Sequence, residues 1–368
     1  VFWWLPLLKN SKKEGWCNMK KMRFGLLILA ILLVASTACL GAKKTEVLKV
    51  GMMPFGGNVP AKYAFDQKWF KKAGLDVVFY MFANGAGINE ALAAKQIDMG
   101  VSGLAMVFSL ASGTCTWVAE SNTSSGMGIY VRPNSKILSV KGKIADKPEM
   151  YGSAETIKGM KVLGQLGTSS QFNVICYIKQ FGLKESDITM VNVDLGTDLQ
   201  AFIAGEGDAL AASRPFSFKA EEKGFKCVAT FEDATGVTLH DGIVVRNDVL
   251  KKRRKEIVTF LKQYFRASEI FASDKQLRFD YSKKYFAENG RNYTDKDMWD
   301  EIRVQKYITK SEMLKPNYKY GAAMISIAQF YSDGGKITKE NLPNVEKSFN
   351  VSLIKEALGV NVKVASPK

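Results

Sequence analysis

Short apolar runs alternate with amphipathic stretches from residue 47 onward. Val47 to Gly51 reads as a strand and Met53 to Gly57 as a loop. Pro60 to Ala73 is predicted to be one helix, with Phe65, Trp69 and Phe70 on its apolar side and Gly74 as its stop. Leu75 to Phe79 reads as a second strand. Asn84 to Gly87 turns into a helix ending near Ala94, and a third strand starts between Ile97 and Val101. The pattern then recurs. Met160 to Leu163 is a strand, Gly167 to Ser170 a loop, and the following helix carries Phe172, Ile175, Ile178 and Phe181 before stopping at Gly182. Ile188 to Val193 and Asp208 to Ala212 are strands around a helix from Leu199 to Ala204. Strand–helix–strand repetition at this pitch predicts parallel sheets with helices on their faces. Beyond residue 250 the pattern is helical, with Ile257, Phe260, Leu261, Tyr264 and Phe265 along one face to cover the first unit.

The N-terminal stretch has a different character. From Met19, a basic head of Lys20, Lys21 and Arg23 precedes a twelve-residue apolar run, Phe24 to Ala35, then small residues Ser36 to Ala38 and Cys39. Such a run is short for a bilayer span and reads as a secretory signal. Residues 1–18 precede that start, and Lys13-Glu14-Gly15 can be encoded as a ribosome-binding sequence, so they are expected to be leader from a misplaced start. Residues 39–46 form a polar tether.

With 368 residues, 46% of them hydrophobic, the chain is long enough for two lobes with separate cores. The net charge is +16, but its basic residues are scattered among acids, not gathered on a stripe with aromatics between them, which argues against nucleic acid. The five cysteines lack metal-ligand spacing and His240 is the only histidine. Zinc, a disulfide framework and any cofactor are therefore not expected. Nor does any nucleophile sit beside a base, so no catalysis is expected.

Several segments occur in an order that resembles a known family. They are Leu48 to Gly51, Phe70 to Val77, Ala91 to Gly100, Ile157 to Val162, Phe181 to Ile188, and Arg214-Pro215. The set resembles the substrate-binding lipoproteins of ABC transporters, in the sulfonate, taurine, nitrate and thiamine-precursor group. Residues 136–156 form a longer connection than most members have. The resemblance implies the type II periplasmic-binding-protein fold: α/β, two lobes, each a mixed, mostly parallel sheet flanked by helices, joined by a two-strand hinge. It places the first lobe at 47–131 plus 240–368 and the second at 132–239. Gly128 to Arg132 and Gly242 to Arg246 would pair as the hinge. It also makes Ser36 to Cys39 similar to a bacterial lipobox, with Cys39 lipidated, although Ser36 stands where that motif prefers Leu and ordinary cleavage fits as well.

In doubly wound sheets, ligands sit beyond the carboxyl ends of the strands. That selects Phe55, Gly56, Asn84, Gly85, Ser102, Gly103, Asn122 and Thr123 from the first lobe, and Gly167, Thr168, Ser169, Ser170, Arg214 and Phe216 from the second. Gly167 to Ser170 open a helix, so their N–H groups suit an oxyanion, though Thr168 or Ser169 could simply cap it. Arg214 could grip a carboxylate or sulfonate, or instead form a salt bridge closing the lobes. Glu120 and Asp241 could meet an ammonium group or pair locally. His240 reads as structural.

The expected function is capture of a small sulfonate- or carboxylate-type anion between the lobes by hinge closure, as a monomer, with delivery to a membrane permease. A neutral or cationic pyrimidine- or amine-type solute is the alternative ligand. A biosynthetic enzyme on the same fold is disfavoured by the export signal and the absence of a cysteine-rich motif, and a sensing ectodomain would need a separate signalling protein.

Overall fold

The computed structural model describes residues 46–365. The expected signal, Cys39 and most of the tether lie outside them. Two five-stranded sheets organise the described residues. The first contains β1 (Leu48–Met52), β2 (Val77–Met81), β3 (Met99–Ser102), β4 (Cys115–Ser124) and, from much later in the chain, β10 (Leu239–Arg246), in the order β2-β1-β3-β10-β4. β1 runs parallel to β2 and β3, whereas β10 is antiparallel to both its neighbours. The second sheet has the order β7-β6-β8-β5-β9, from β5 (Gly128–Val131), β6 (Lys161–Gly164), β7 (Thr189–Asn192), β8 (Ala209–Ala212) and β9 (Lys226–Thr230). Both sheets therefore carry one antiparallel insertion in an otherwise parallel set.

The expected pairing of Gly128 to Arg132 with Gly242 to Arg246 does not occur. β5 pairs with β8 and β9, and β10 with β3 and β4. β5 and most of β10 are apolar and buried on both faces, which suits an interior strand of a sheet better than a solvated two-strand ribbon. β5 thus belongs to the second lobe, and the first lobe's sheet ends at Ser124, not at residue 131. The crossings are residues 125–127 outward and a short helix, Phe231–Thr235, with residues 236–238 on the return.

The predicted helix from Pro60 to Ala73 is two helices, α1 (Val59–Asp66) and a single turn at Trp69–Lys72. Lys68, at φ 59°, takes the left-handed conformation between them. Phe65 consequently leaves the core, 40% exposed, and packs on Phe79 at 5.1 Å. α2 (Gly85–Ala93) follows β2, and α3 (Ser169–Lys179) follows β6. The second lobe also carries α4 (Thr197–Ile203) and α5 (Phe216–Glu222).

Past β10 the chain is helical. α6 (Asn247–Ser273) buries Ile257, Phe260, Leu261, Tyr264 and Phe265, and Phe260 stacks on Phe70 at 5.0 Å. α7 (Lys275–Glu288), α8 (Asp295–Val304) and α9 (Ala322–Asp333) complete the layer. This layer packs on the first lobe and also reaches the second. Lys296 of α8 pairs with Glu222 of α5 at 3.3 Å, and Lys336 with Glu185 at 3.2 Å. Both pairs are exposed and contribute little. The apolar contact is heavier: Phe172 of α3, 3% exposed, sits in the first lobe's core against Phe231, Phe330 and Tyr331.

Candidate functional site

A cavity of about 120 Å³ opens where the carboxyl ends of both sheets face one another. The loop after β1 brings Met53, Phe55 and Gly56 to its wall, the loop after β2 brings Ala83 to Gly85, and the end of β3 brings Ser102 to Ala105. The second lobe adds Gln165, Thr168 to Ser170, Leu195, Ser213 and Arg214. Of the residues selected from sequence, Phe55, Gly56, Asn84, Gly85, Ser102, Gly103, Thr168, Ser169, Ser170 and Arg214 meet here.

Glycine is needed at two of these positions because the walls close tightly. A Cβ on Gly85 would lie 2.7 Å from Ser102 Oγ, and one on Gly103 would lie 2.3 Å from Asp241 Oδ1. Asn84 caps α2, its side-chain oxygen accepting from the N–H groups of Ala86 and Gly87 at 3.0 and 3.2 Å. Thr168 caps α3 in the same way. Its Oγ1 accepts from the Ser170 N–H at 3.3 Å and donates to the Gln165 carbonyl at 2.9 Å.

Four selected residues do not line the cavity. Asn122 lies behind it and donates from Nδ2 to Asp241 Oδ2 at 2.8 Å. The Thr123 hydroxyl accepts from the Lys306 N–H at 3.0 Å, fixing β4 to the helical layer. Gly167, at φ 69°, spends its N–H on the Gln171 side chain at 2.9 Å. Phe216 packs against Gly196, where a Cβ would lie 2.8 Å from the ring. Each is a turn or sheet residue at the correct end of its strand, but its side chain or N–H serves the scaffold.

Arg214, joined to Pro215 by a cis peptide bond, is engaged by the protein itself. Its Nε stands 3.4 Å from Glu301 Oε2 of α8, with both side chains more than nine-tenths buried. That separation makes an ion pair between the lobes but no hydrogen bond. Arg214 Nη1 and Glu301 Oε2 both remain buried without a hydrogen-bond partner.

Among the titratable residues of the cavity wall, Arg291, Tyr293 and Glu301 were not selected from sequence, and Asp241 was read only as a partner for an ammonium group or a local pair. Asp241 is 3% exposed, and burial raises its carboxyl pKa to about 6 against the opposing pull of the Asn122 hydrogen bond and Arg214. Burial lowers the Arg291 pKa, with Tyr293, Tyr285 and Glu301 acting the other way. Among the described residues, the Arg291 guanidinium makes no hydrogen bond or ion pair. It follows the Asn289-Gly290 turn after α7, in a region whose helical periodicity reports only packing, so no local signal marks it.

Glu120 and His240 lie outside the cavity wall. Glu120 accepts from His240 Nδ1 at 2.8 Å, the Tyr318 hydroxyl at 2.6 Å and the Gly321 N–H at 3.0 Å, which leaves no place for a ligand ammonium.

The family model described as NMT1-like matches residues 41–283. A Brachyspira hyodysenteriae protein named as a candidate ABC transporter periplasmic binding protein is 29% identical over 337 residues, covering 90% of this chain and 96% of its own. The taurine-binding periplasmic protein of Escherichia coli is 24% identical over 287 residues, covering 76% and 84%. Among solved structures, the alkanesulfonate-binding protein SsuA of Xanthomonas axonopodis bound to MOPS superposes with a TM-score of 0.64 at 17% identity, covering 84% of this chain and 100% of its own. The periplasmic nitrate-binding protein NrtA of Synechocystis gives 0.64 at 15%, covering 86% and 89%. The architecture is thus the periplasmic-binding-protein fold.

Proposed function

Because the chain belongs to the NMT1-like family, we propose that it is the extracytoplasmic solute-binding protein of an ABC importer, capturing a small molecule that carries a sulfonate or carboxylate. The observation that carries this reading is Arg291. A guanidinium partly removed from water, with no acceptor of its own, stabilises an anion placed against it. The opening of α3 at Ser169 and Ser170 faces the same cavity and adds the positive end of an eleven-residue helix. Arg214 contributes less net charge than the sequence suggests, because Glu301 already balances it.

Capture works by lobe closure. The cavity takes walls from both lobes, so an occupant that bridges them stabilises the closed form, which the permease would recognise. The protein acts as a monomer without chemistry on its ligand, held to the membrane through lipid on Cys39. Its relatives' names, which include a taurine binder, support the solute class.

The test is a thermal-shift screen of sulfonates and carboxylates on the mature protein, repeated with Arg291→Ala. A ligand at 100 times its Kd adds about 2.7 kcal/mol of stability. Losing the guanidinium should weaken binding by about 2–5 kcal/mol and leave the ligand-free melting point nearly unchanged. Retained affinity in Arg291→Ala would rule out this anion site.

A further inference from the structure

The amino ends of the parallel strands in the first sheet form the face opposite the cavity, which lies at their carboxyl ends. The fold gathers on that face basic residues that the sequence scatters. Lys71 and Lys72 close the single turn that leads towards β2, and Lys95 precedes β3. β10 ends there too, because it runs antiparallel, with Arg246 opposite Cys115 at the start of β4. α6 therefore starts beneath the sheet, and its opening turns carry Lys251, Lys252, Arg253, Arg254 and Lys255.

The two arginines of this run are engaged within the protein. Arg253 stands 3.2 Å from Asp98 and also pairs with Glu256, while Arg254 pairs with Glu356. Nearby Asp248 is held by Arg246 at 2.7 Å. Lys251, Lys252 and Lys255, like Lys71, Lys72 and Lys95, are exposed and make no ion pair among the described residues. Asp76, before β2, is exposed and offsets one of these charges. The face is left with a positive excess.

The chain enters the domain at the same place. The Arg253 guanidinium donates to the Val47 carbonyl at 3.4 Å, so the basic run lies beside the start of β1. Residues 40–46, with Lys43 and Lys44 among them, join that point to Cys39. A link of that length spans at most about 30 Å when fully extended. Lipid on Cys39 would therefore keep this face close to the bilayer.

We propose that the amino-end face of the first lobe binds anionic lipid headgroups, through Lys251, Lys252 and Lys255 with Lys71, Lys72 and Lys95 around them. Each exposed lysine beside a negative surface adds an attraction that salt screens. Held this way, the cavity points away from the bilayer and stays open to solute, and the protein must leave the surface to present its cargo. The proposal takes the anchor at Cys39 as the reason this face meets the membrane. Its test uses neither lipid on the protein nor solute, so failure here leaves anchoring and capture as they stand.

Co-sedimentation of the mature, unacylated protein with vesicles is that test. Vesicles of equimolar phosphatidylcholine and phosphatidylglycerol should retain the protein at about 0.1 M salt and release it at about 0.5 M. Vesicles of phosphatidylcholine alone should not retain it. The triple variant K251Q/K252Q/K255Q should weaken partitioning on the order of a hundredfold, from about fivefold per lysine. A control triple, K143Q/K223Q/K226Q, removes the same charge from exposed positions of the second lobe and should lose far less. Melting curves check that both variants fold. Equal retention by neutral vesicles, or none by either kind, would overturn the proposal. Equal losses in the two triples would do so as well, by assigning the attraction to net charge alone.

Discussion

The ring of Phe172, one turn into the helix that opens at the cavity, meets the ring of Phe330 edge-on, centroids 4.6 Å apart and planes at 84°. Phe172 belongs to the second lobe by sequence and to the first lobe's core by burial. The two lobes therefore share an apolar contact beside the ligand cavity as well as the charged one through Arg214 and Glu301.

Phe172→Ala should cost about 3–5 kcal/mol, the usual price of emptying a buried phenylalanine site. Small-angle scattering of the ligand-free variant should also show a larger radius of gyration. A variant as compact and as stable as the parent would mean that the lobes do not rest against one another there.

Asp241 gives a stability component with a defined pH window. Its native pKa of about 6 lies above the ordinary value of 3.8, so the native state holds a proton that the unfolded chain has released. Stability from this group therefore increases as pH falls from about 6 to about 4, by roughly 3 kcal/mol. Asp198, at the start of α4, is raised to about 6 by burial and shares the window, so the comparison must be with Asp241→Asn, which retains Asp198. Denaturant titrations between pH 4 and 7 should show the variant lacking this gain, and parallel curves would contradict it.

His240 titrates in a neighbouring window. Burial opposes its charge, but Glu120, by charge and hydrogen bond, together with Asp241 and Glu312, raises its pKa above 6.5. The stabilisation is complete below pH 6.5 and is lost as pH climbs through the raised value. His240→Gln should consequently be less stable than the parent in mild acid, and the gap should narrow toward alkaline pH. A gap independent of pH would indicate packing in place of charge.

Cys39→Ser addresses attachment. If the sulfur carries lipid, the variant should either leave the membrane fraction for the soluble one or accumulate as unprocessed precursor. Recovery of the parent protein as a soluble, unlipidated chain would identify ordinary signal cleavage at the small residues.

Eight of the ten strands in the described residues, the Gly-rich turns and the apolar face of α6 were legible because periodicity reports them directly, whereas β4 and β9 were not read. Loops at strand ends were legible as a class, and ten of the fourteen residues chosen from them line the cavity. What their side chains do there was not legible. Thr168 looks alike whether it caps a helix or greets an anion, and Arg214 carries no mark of the partner waiting 87 positions later at Glu301. Arg291, Tyr293 and Glu301 were missed for a related reason: they are cavity residues only because a helical layer, read as cover, folds back over the mouth. The hinge was misread because similarity between Gly128 to Arg132 and Gly242 to Arg246 reflects equivalent interior positions in two sheets, not mutual pairing.

The place of β10 has a consequence for how the chain reaches this state. The second sheet is drawn from one continuous stretch, Gly128 to Thr230, whereas the first has a slot between β3 and β4 that stays empty until Leu239 to Arg246 arrive. Closing the loop from β4 to β10 carries an entropic cost that grows with the loop's effective length, and a folded domain in between shortens that length. The second lobe, whose sheet is complete in the chain before β10 is reached, is thus the natural first folder. Until its neighbour's last strand is inserted, β3 and β4 present unpaired edges, and any holdase that keeps the nascent chain from aggregating has its most useful target there.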